Sequence, residues 1–140
     1  MKILLAVDGS EFTKRMLAYV GAHQLFLGAG NQLTALTVTA RVPPQVTHHI
    51  NRSELEVYYA EQAAEVLRPV KAFADQHQWE LTTRHEVGHA AETIAKAADQ
   101  GGFDLLVLGS HGHSALGSLV LGSVVSGVLA RCKTPILLIR

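Results

Sequence analysis

Apolar residues fall along this chain in two rhythms. Short apolar runs, Ile3 to Val7, Leu105 to Leu108 and Ile136 to Ile139, have the length of buried strands and are too short for helices, and Leu33 to Val38, interrupted by Thr34 and Thr37, reads as a further strand. Trp79 to Val87 alternates only moderately and predicts a strand at a sheet edge. Between these runs apolar positions recur at helical intervals. Met16, Val20 and Phe26 mark the first such segment, Ala60, Ala64, Leu67, Val70 and Ala74 the second, and Ile94, Ala95 and Ala98 the third. A fourth helical run extends from Val124 to Arg131.

Stop and start signals bound these elements. Ser10 is a candidate cap for the first helix, with Glu11 in its first turn, and Gly28 to Asn31 ends it. Ser53-Glu54-Leu55-Glu56 has capping-box spacing and opens a helix that runs to about His77. Pro69 lies inside it, at a cost of roughly 3 kcal/mol, and predicts a kink or local break. Gly88 to Glu92 begins the third helix and Gly101-Gly102 closes it. The polar connection Ala40 to Arg52, with Pro43-Pro44 and His48-His49, reads as a flap or mobile loop.

The resulting order is strand and helix in alternation, five strands and four helices. That pattern predicts an α/β fold: an open five-stranded parallel sheet, right-handed crossovers and helices on both faces. No repeat, linker or low-complexity tract interrupts it, so residues 1–140 read as a single domain. Ligands of such sheets sit beyond the strand C-termini, at the switch point in strand order. Asp8, after the first strand, lies at that edge. So does the loop after the fourth strand, rich in glycine and serine: Gly109, Ser110, Gly112, Ser114, Gly117 and Ser118. It ends at Gly122-Ser123, where the last helix opens. Strand, glycine loop and helix start together form an arrangement that binds phosphate through backbone N–H groups and the helix dipole.

Composition narrows the picture. Hydrophobic residues make up 48% of the chain and charged residues 17%, which suits a sheet covered on both faces. The net charge is +0, so no long-range field draws in nucleic acid or an anionic membrane. A single cysteine, Cys132, excludes an intramolecular disulfide and a cysteine-rich zinc site. The apolar start is cut short by Asp8 and no run approaches a membrane span, so the expected location is the cytoplasm.

The loop spacing Gly109-x2-Gly112-x9-Gly122-Ser123 matches the G-x2-G-x9-G-[S/T] nucleotide motif of universal stress proteins at every fixed position. The likeness extends to Ile3-Leu4-Leu5-Ala6-Val7-Asp8-Gly9-Ser10, to Val87-Gly88, to Asp104 through Ser110, and to Thr134 through Ile139. The whole chain thus resembles that family's ATP-binding subgroup. The resemblance implies a Rossmann-like, adenine nucleotide alpha hydrolase-like fold with strand order 3-2-1-4-5. It also implies ATP, or ADP or AMP, as ligand, with Mg²⁺ as a further candidate. By position, Gly109, Gly112, Gly122 and Ser123 resemble the phosphate and ribose cradle, with the amides of Ser123 and Val124 donating to phosphate. Asp8 resembles the acid near the ribose and any metal, and Val38 the residue whose backbone recognises adenine.

Plainer readings stand beside these. The glycine loop can simply be a tight turn, Asp8 can serve the first helix cap, Ser123 can be only an N-cap, and Val38 can be core. His111 and His113 depart from the arginine that family members often carry in this loop. Histidine, with an ordinary pKa of about 6.5, can donate to a triphosphate and would then make binding tighter near pH 6 than pH 8. Alternatively both rings are solvated. A metal site from His111 with His113, or from His48 with His49, lacks a third ligand.

Catalytic signals are missing. No Gly-x4-Gly-Lys-[Ser/Thr] or Gly-x-Ser-x-Gly stretch occurs, and Asp8 is the one acid that the order of elements puts in the crevice. The expected function is therefore ATP-binding and regulatory, with the nucleotide ordering the loop from Ser110 to Leu121. The alternatives are a slow Mg-dependent ATPase or nucleotidyl-transfer enzyme, and a nucleotide-free interaction module. The apolar strand Thr134 to Ile139, exposed at an edge, would be an aggregation hazard, and pairing with its copy predicts a homodimer.

Overall fold

The computed structural model describes residues 1–113 and 120–140. Ser114, Gly117 and Ser118 of the glycine loop, and half of the segment from Ser110 to Leu121 expected to order around nucleotide, lie outside them. Five strands, β1 (Lys2–Ala6), β2 (Gln32–Thr39), β3 (Leu81–Val87), β4 (Leu105–Gly109) and β5 (Ile136–Ile139), form one parallel sheet in the order β3-β2-β1-β4-β5. The helices are α1 (Glu11–Ala22), α2 (Gln24–Leu27), α3 (Pro44–Thr47), α4 (Arg52–Gln76), α5 (Ala90–Gln100) and α6 (Ser123–Leu129).

Strand alternation divides the core in two. Ile3, Leu5, Leu33, Ala35 and Val107 point to one face and meet Met16, Val20, Val70 and Ala74 of α1 and α4. Leu4, Leu36, Leu106 and Leu108 point to the other and meet Ile94, Ala98 and Val128 of α5 and α6. Each fully buried Leu or Ile contributes about 1.5–3 kcal/mol, so the central strands β1 and β4 anchor both layers.

Four local expectations change. The first helix is not continuous: His23 takes an extended conformation, its Nδ1 lies 2.7 Å from the Tyr19 carbonyl, and the chain restarts as α2 to bury Phe26. The capping box sits two residues earlier than Ser53. Asn51 accepts from the Glu54 amide at 2.8 Å, and Glu54 accepts from the Asn51 amide at 3.2 Å. Pro69 does not break α4, because it lies on the exposed side, where water can satisfy the carbonyl one turn earlier. The expected flap contains α3 and is tied down at 2.8 Å by the Val42 amide donating to the Tyr59 hydroxyl.

One side chain fastens the last strand. Asp99, at the end of α5, accepts from the Lys133 amide at 3.0 Å, the Thr134 amide at 2.9 Å and the Thr134 hydroxyl at 2.8 Å. The Thr134 hydroxyl foremost, then the Lys133 amide, hold its carboxyl down to about 2. A carboxylate with a depressed folded pKa stabilises the fold above its unfolded pKa of about 3.9, and that stability disappears as pH falls through the folded value. Wild-type protein should therefore lose thermal stability between about pH 4 and pH 2 more steeply than Asp99→Ala. The variant should melt lower at pH 7. Parallel melting curves from pH 7 to pH 2 would remove Asp99 from the explanation.

Candidate functional site

The sheet order reverses between β1 and β4, and their C-terminal ends diverge into separate loops. A cavity of about 210 Å³ opens there. Its walls are apolar, from Val7, Val38, Ile94, Leu108 and Val125, and its rim is polar, from Asp8, Thr13, His111, His113 and Ser123. All nine residues singled out in the sequence line this one cavity. They reach it from the C-terminal ends of β1, β2 and β4 and from the start of α6, so only the folded topology unites them.

Asp8 follows β1 and is half-buried. Its Oδ1 is saturated, accepting from the Ser10 amide at 2.9 Å and the Thr13 hydroxyl at 2.9 Å. The Asp8 amide in turn donates to Thr13 Oγ1 at 3.1 Å. Oδ2 faces Gly112, where a Cβ would come within 2.6 Å of it. Ser10 is the N-cap of α1 by position, but its hydroxyl makes no cap bond and is buried without a partner among the described residues. Asp8 serves the Ser10 amide instead.

The three motif glycines have separate jobs. Gly112 gives up its side chain to Asp8. Gly109 gives it up to packing: a Cβ there would meet Phe12 Cβ at 2.6 Å, so the start of α1 could not lie against the end of β4. Gly122 closes the loop base, its amide donating to the Ser110 carbonyl at 3.0 Å, with His111 Cα 3.2 Å from where a Cβ would stand. Past it, Ser123 and Val124 are exposed and precede the first amide bonded within α6, Ser126 to Gly122. Their own amides belong to the unpaired first turn.

The histidines are engaged by the protein itself. His113 Nε2 lies 2.6 Å from the Asp8 carbonyl, and His111 Nε2 contacts the Val120 carbonyl. A carbonyl only accepts, so both Nε2 atoms carry a proton, and in the neutral rings both Nδ1 atoms are acceptors. His111 Nδ1 lies 3.0 Å from the Ser110 hydroxyl, which donates to it. Neither neutral ring has a spare donor for phosphate. His113 gains one, at Nδ1, only on taking up a proton.

Among the described residues no group of three or more His, Cys, Asp or Glu side chains converges as a metal site would require. Thr13 was missed in the sequence, although its place five residues after Asp8 in a first helical turn was a usable signal. The apolar wall from α5, Ala90 and Ile94, carried no signal beyond helical periodicity.

The universal stress protein family model matches residues 1–140. The chain belongs to the universal stress protein family. A universal stress protein from Thermus aquaticus is 33% identical over 138 residues, covering 99% of this chain and 97% of that protein. One from Synechocystis is 27% identical over 99% of this chain, which spans only 42% of that protein's length. Among solved structures, MJ0577 of Methanocaldococcus jannaschii superposes with a TM-score of 0.80 at 27% identity, covering 99% of this universal stress protein and 94% of that chain. A universal stress protein in complex with cAMP superposes with a TM-score of 0.72 at 23% identity, covering 100% and 97%, a likeness of fold. Among the described residues no helix is long and apolar enough to cross a membrane.

Proposed function

We propose that this universal stress protein binds an adenine nucleotide, ATP foremost, and acts as a regulatory protein whose surface depends on that ligand. The observation that carries the reading is a cavity that joins apolar walls to the first-turn amides of α6, which have no helical partner among the described residues. An adenine ring suits walls of Val38, Ile94 and Leu108, and a phosphate tail suits amides free of side-chain bulk. The solved relative in complex with cAMP supports the ligand class. A Mg²⁺ would take its ligands from phosphate and water, with Asp8 reached through a bound water. Asp8 is the one acid among the described lining residues, so nothing there sets up rapid hydrolysis.

Mass spectrometry of small molecules released from freshly purified protein should find an adenine nucleotide. No nucleotide, and no thermal shift with millimolar ATP, would overturn the reading.

The proposed assembly is a homodimer through β5, which lies at the sheet edge. Pro135 and Ile139 carbonyls accept from β4, so Ile136 and Leu138 turn their backbone groups outward. Their side chains pack against the α5–α6 layer, so lysines there would unfold the protein as readily as dissociate it. Leu138→Pro deletes one outward N–H and should yield a folded monomer on a sizing column. A soluble dimer of unchanged size would overturn pairing through this edge.

A further inference from the structure

We infer that Thr13 is a positioning residue that fixes Asp8 for recognition of a ribose hydroxyl, so that the cavity discriminates ribonucleotides from their deoxy counterparts. The inference rests on the nucleotide reading of this cavity and adds the group within it that sets sugar specificity. Thr13 is buried, 5% exposed, in the first turn of α1, and lines the cavity. Its single hydroxyl closes a ring with Asp8: it accepts from the Asp8 amide at 3.1 Å and donates to Asp8 Oδ1 at 2.9 Å. The Ser10 amide, at 2.9 Å, holds the same oxygen.

Two donors on Oδ1 fix the carboxylate plane, leaving Oδ2 as the one oxygen turned to the bare Cα of Gly112. An ionised oxygen with no donor from the described residues beside it accepts strongly from a ligand hydroxyl. The histidine facing Asp8 does not compete, because His113 binds the Asp8 main-chain carbonyl. A site built to bond a hydroxyl rejects the analogue that lacks it, since its polar group is then left without a partner. Removing the Thr13 hydroxyl frees the carboxylate to rotate and leaves the Asp8 amide unpaired, so the discrimination disappears although Asp8 itself remains.

The test compares ATP with 2′,3′-dideoxy-ATP on wild type, Thr13→Val, Thr13→Ala and Thr13→Ser, with melting curves to establish folding. Wild type should prefer ATP by roughly tenfold or more, the worth of one hydrogen bond to a charged group. Thr13→Val should shrink the preference to within about twofold, and Thr13→Ser should restore it. Thr13→Ala removes the same hydroxyl with less bulk and should match Thr13→Val, which keeps the test decisive if valine does not fold. A preserved preference in a folded Thr13→Val or Thr13→Ala protein would overturn the inference. Equal wild-type affinity for the two nucleotides would overturn it too, while leaving nucleotide binding intact. Absence of binding to either would overturn both.

Discussion

Gly112→Val should abolish nucleotide binding, by about 100-fold or more in affinity, while the protein remains folded. The first carbon of the new side chain would stand 2.6 Å from Asp8 Oδ2, closer than any real contact of that kind. Asp8 cannot swing aside cheaply, because its other oxygen is held by the Ser10 amide and the Thr13 hydroxyl. Either the loop moves away from Asp8 or those bonds break, at about 1–3 kcal/mol for a charged acceptor. Both outcomes distort the cavity, and the two further methyls occupy part of it. Gly112 is outside both core clusters and its backbone needs no left-handed conformation, so the melting temperature should fall by only a few degrees. Calorimetric titration with ATP, alongside a melting curve, checks both halves. A folded Gly112→Val protein that binds ATP within about threefold of wild type would show that the ligand sits elsewhere.

Much of this fold was legible because its signals are redundant. Leu105 to Leu108 could only be a buried strand, and the alternation of strands with helices permits few parallel topologies. What escaped depends on partners distant in sequence. His23 interrupts the first helical segment so that Phe26 can reach the core, and nothing in the periodicity marks that turn. Pro69 reads as a helix breaker in the sequence, but its effect depends on which side of α4 meets water. Asn51 and Ser53 both precede glutamate by three residues, and spacing alone does not choose between them.

The candidate site was legible as a set of residues and not as a set of roles. Gly109, Gly112 and Gly122 read alike in the sequence, yet one admits Phe12, one faces Asp8 and one closes the loop base. His111 and His113 read as phosphate donors, and their ring protons turn out to be spent on main-chain carbonyls. Thr13 became visible only through its bonds to Asp8. In each instance the missing information is a direction in space, which residue type and spacing do not carry.

Gly127→Ala gives the sharpest conflict between sequence and structure. Alanine is better than glycine inside a helix by about 1 kcal/mol, so propensity predicts a more stable protein. In the structure a Cβ at Gly127 of α6 would lie 2.6 Å from the Cβ of Ala91, which is 2% exposed in the first turn of α5. Both carbons are fixed to backbone, so relief requires the two helices to separate. Overpacking of this kind costs about 1–3 kcal/mol and outweighs the propensity gain, so urea unfolding should show a net loss. Gly127→Leu should lose about 3 kcal/mol. Ala91→Gly combined with Gly127→Ala moves the methyl to the other helix and should restore stability to within about 1 kcal/mol of wild type, a coupling that a double-mutant cycle measures directly. The same interface bears on the ligand, since Ala90 and Ile94 of α5 and Val125 of α6 line the cavity. Gly127→Ala should thus weaken ATP binding without touching it, and the compensated pair should recover both properties together. A more stable Gly127→Ala protein would mean that α5 and α6 do not pack this closely.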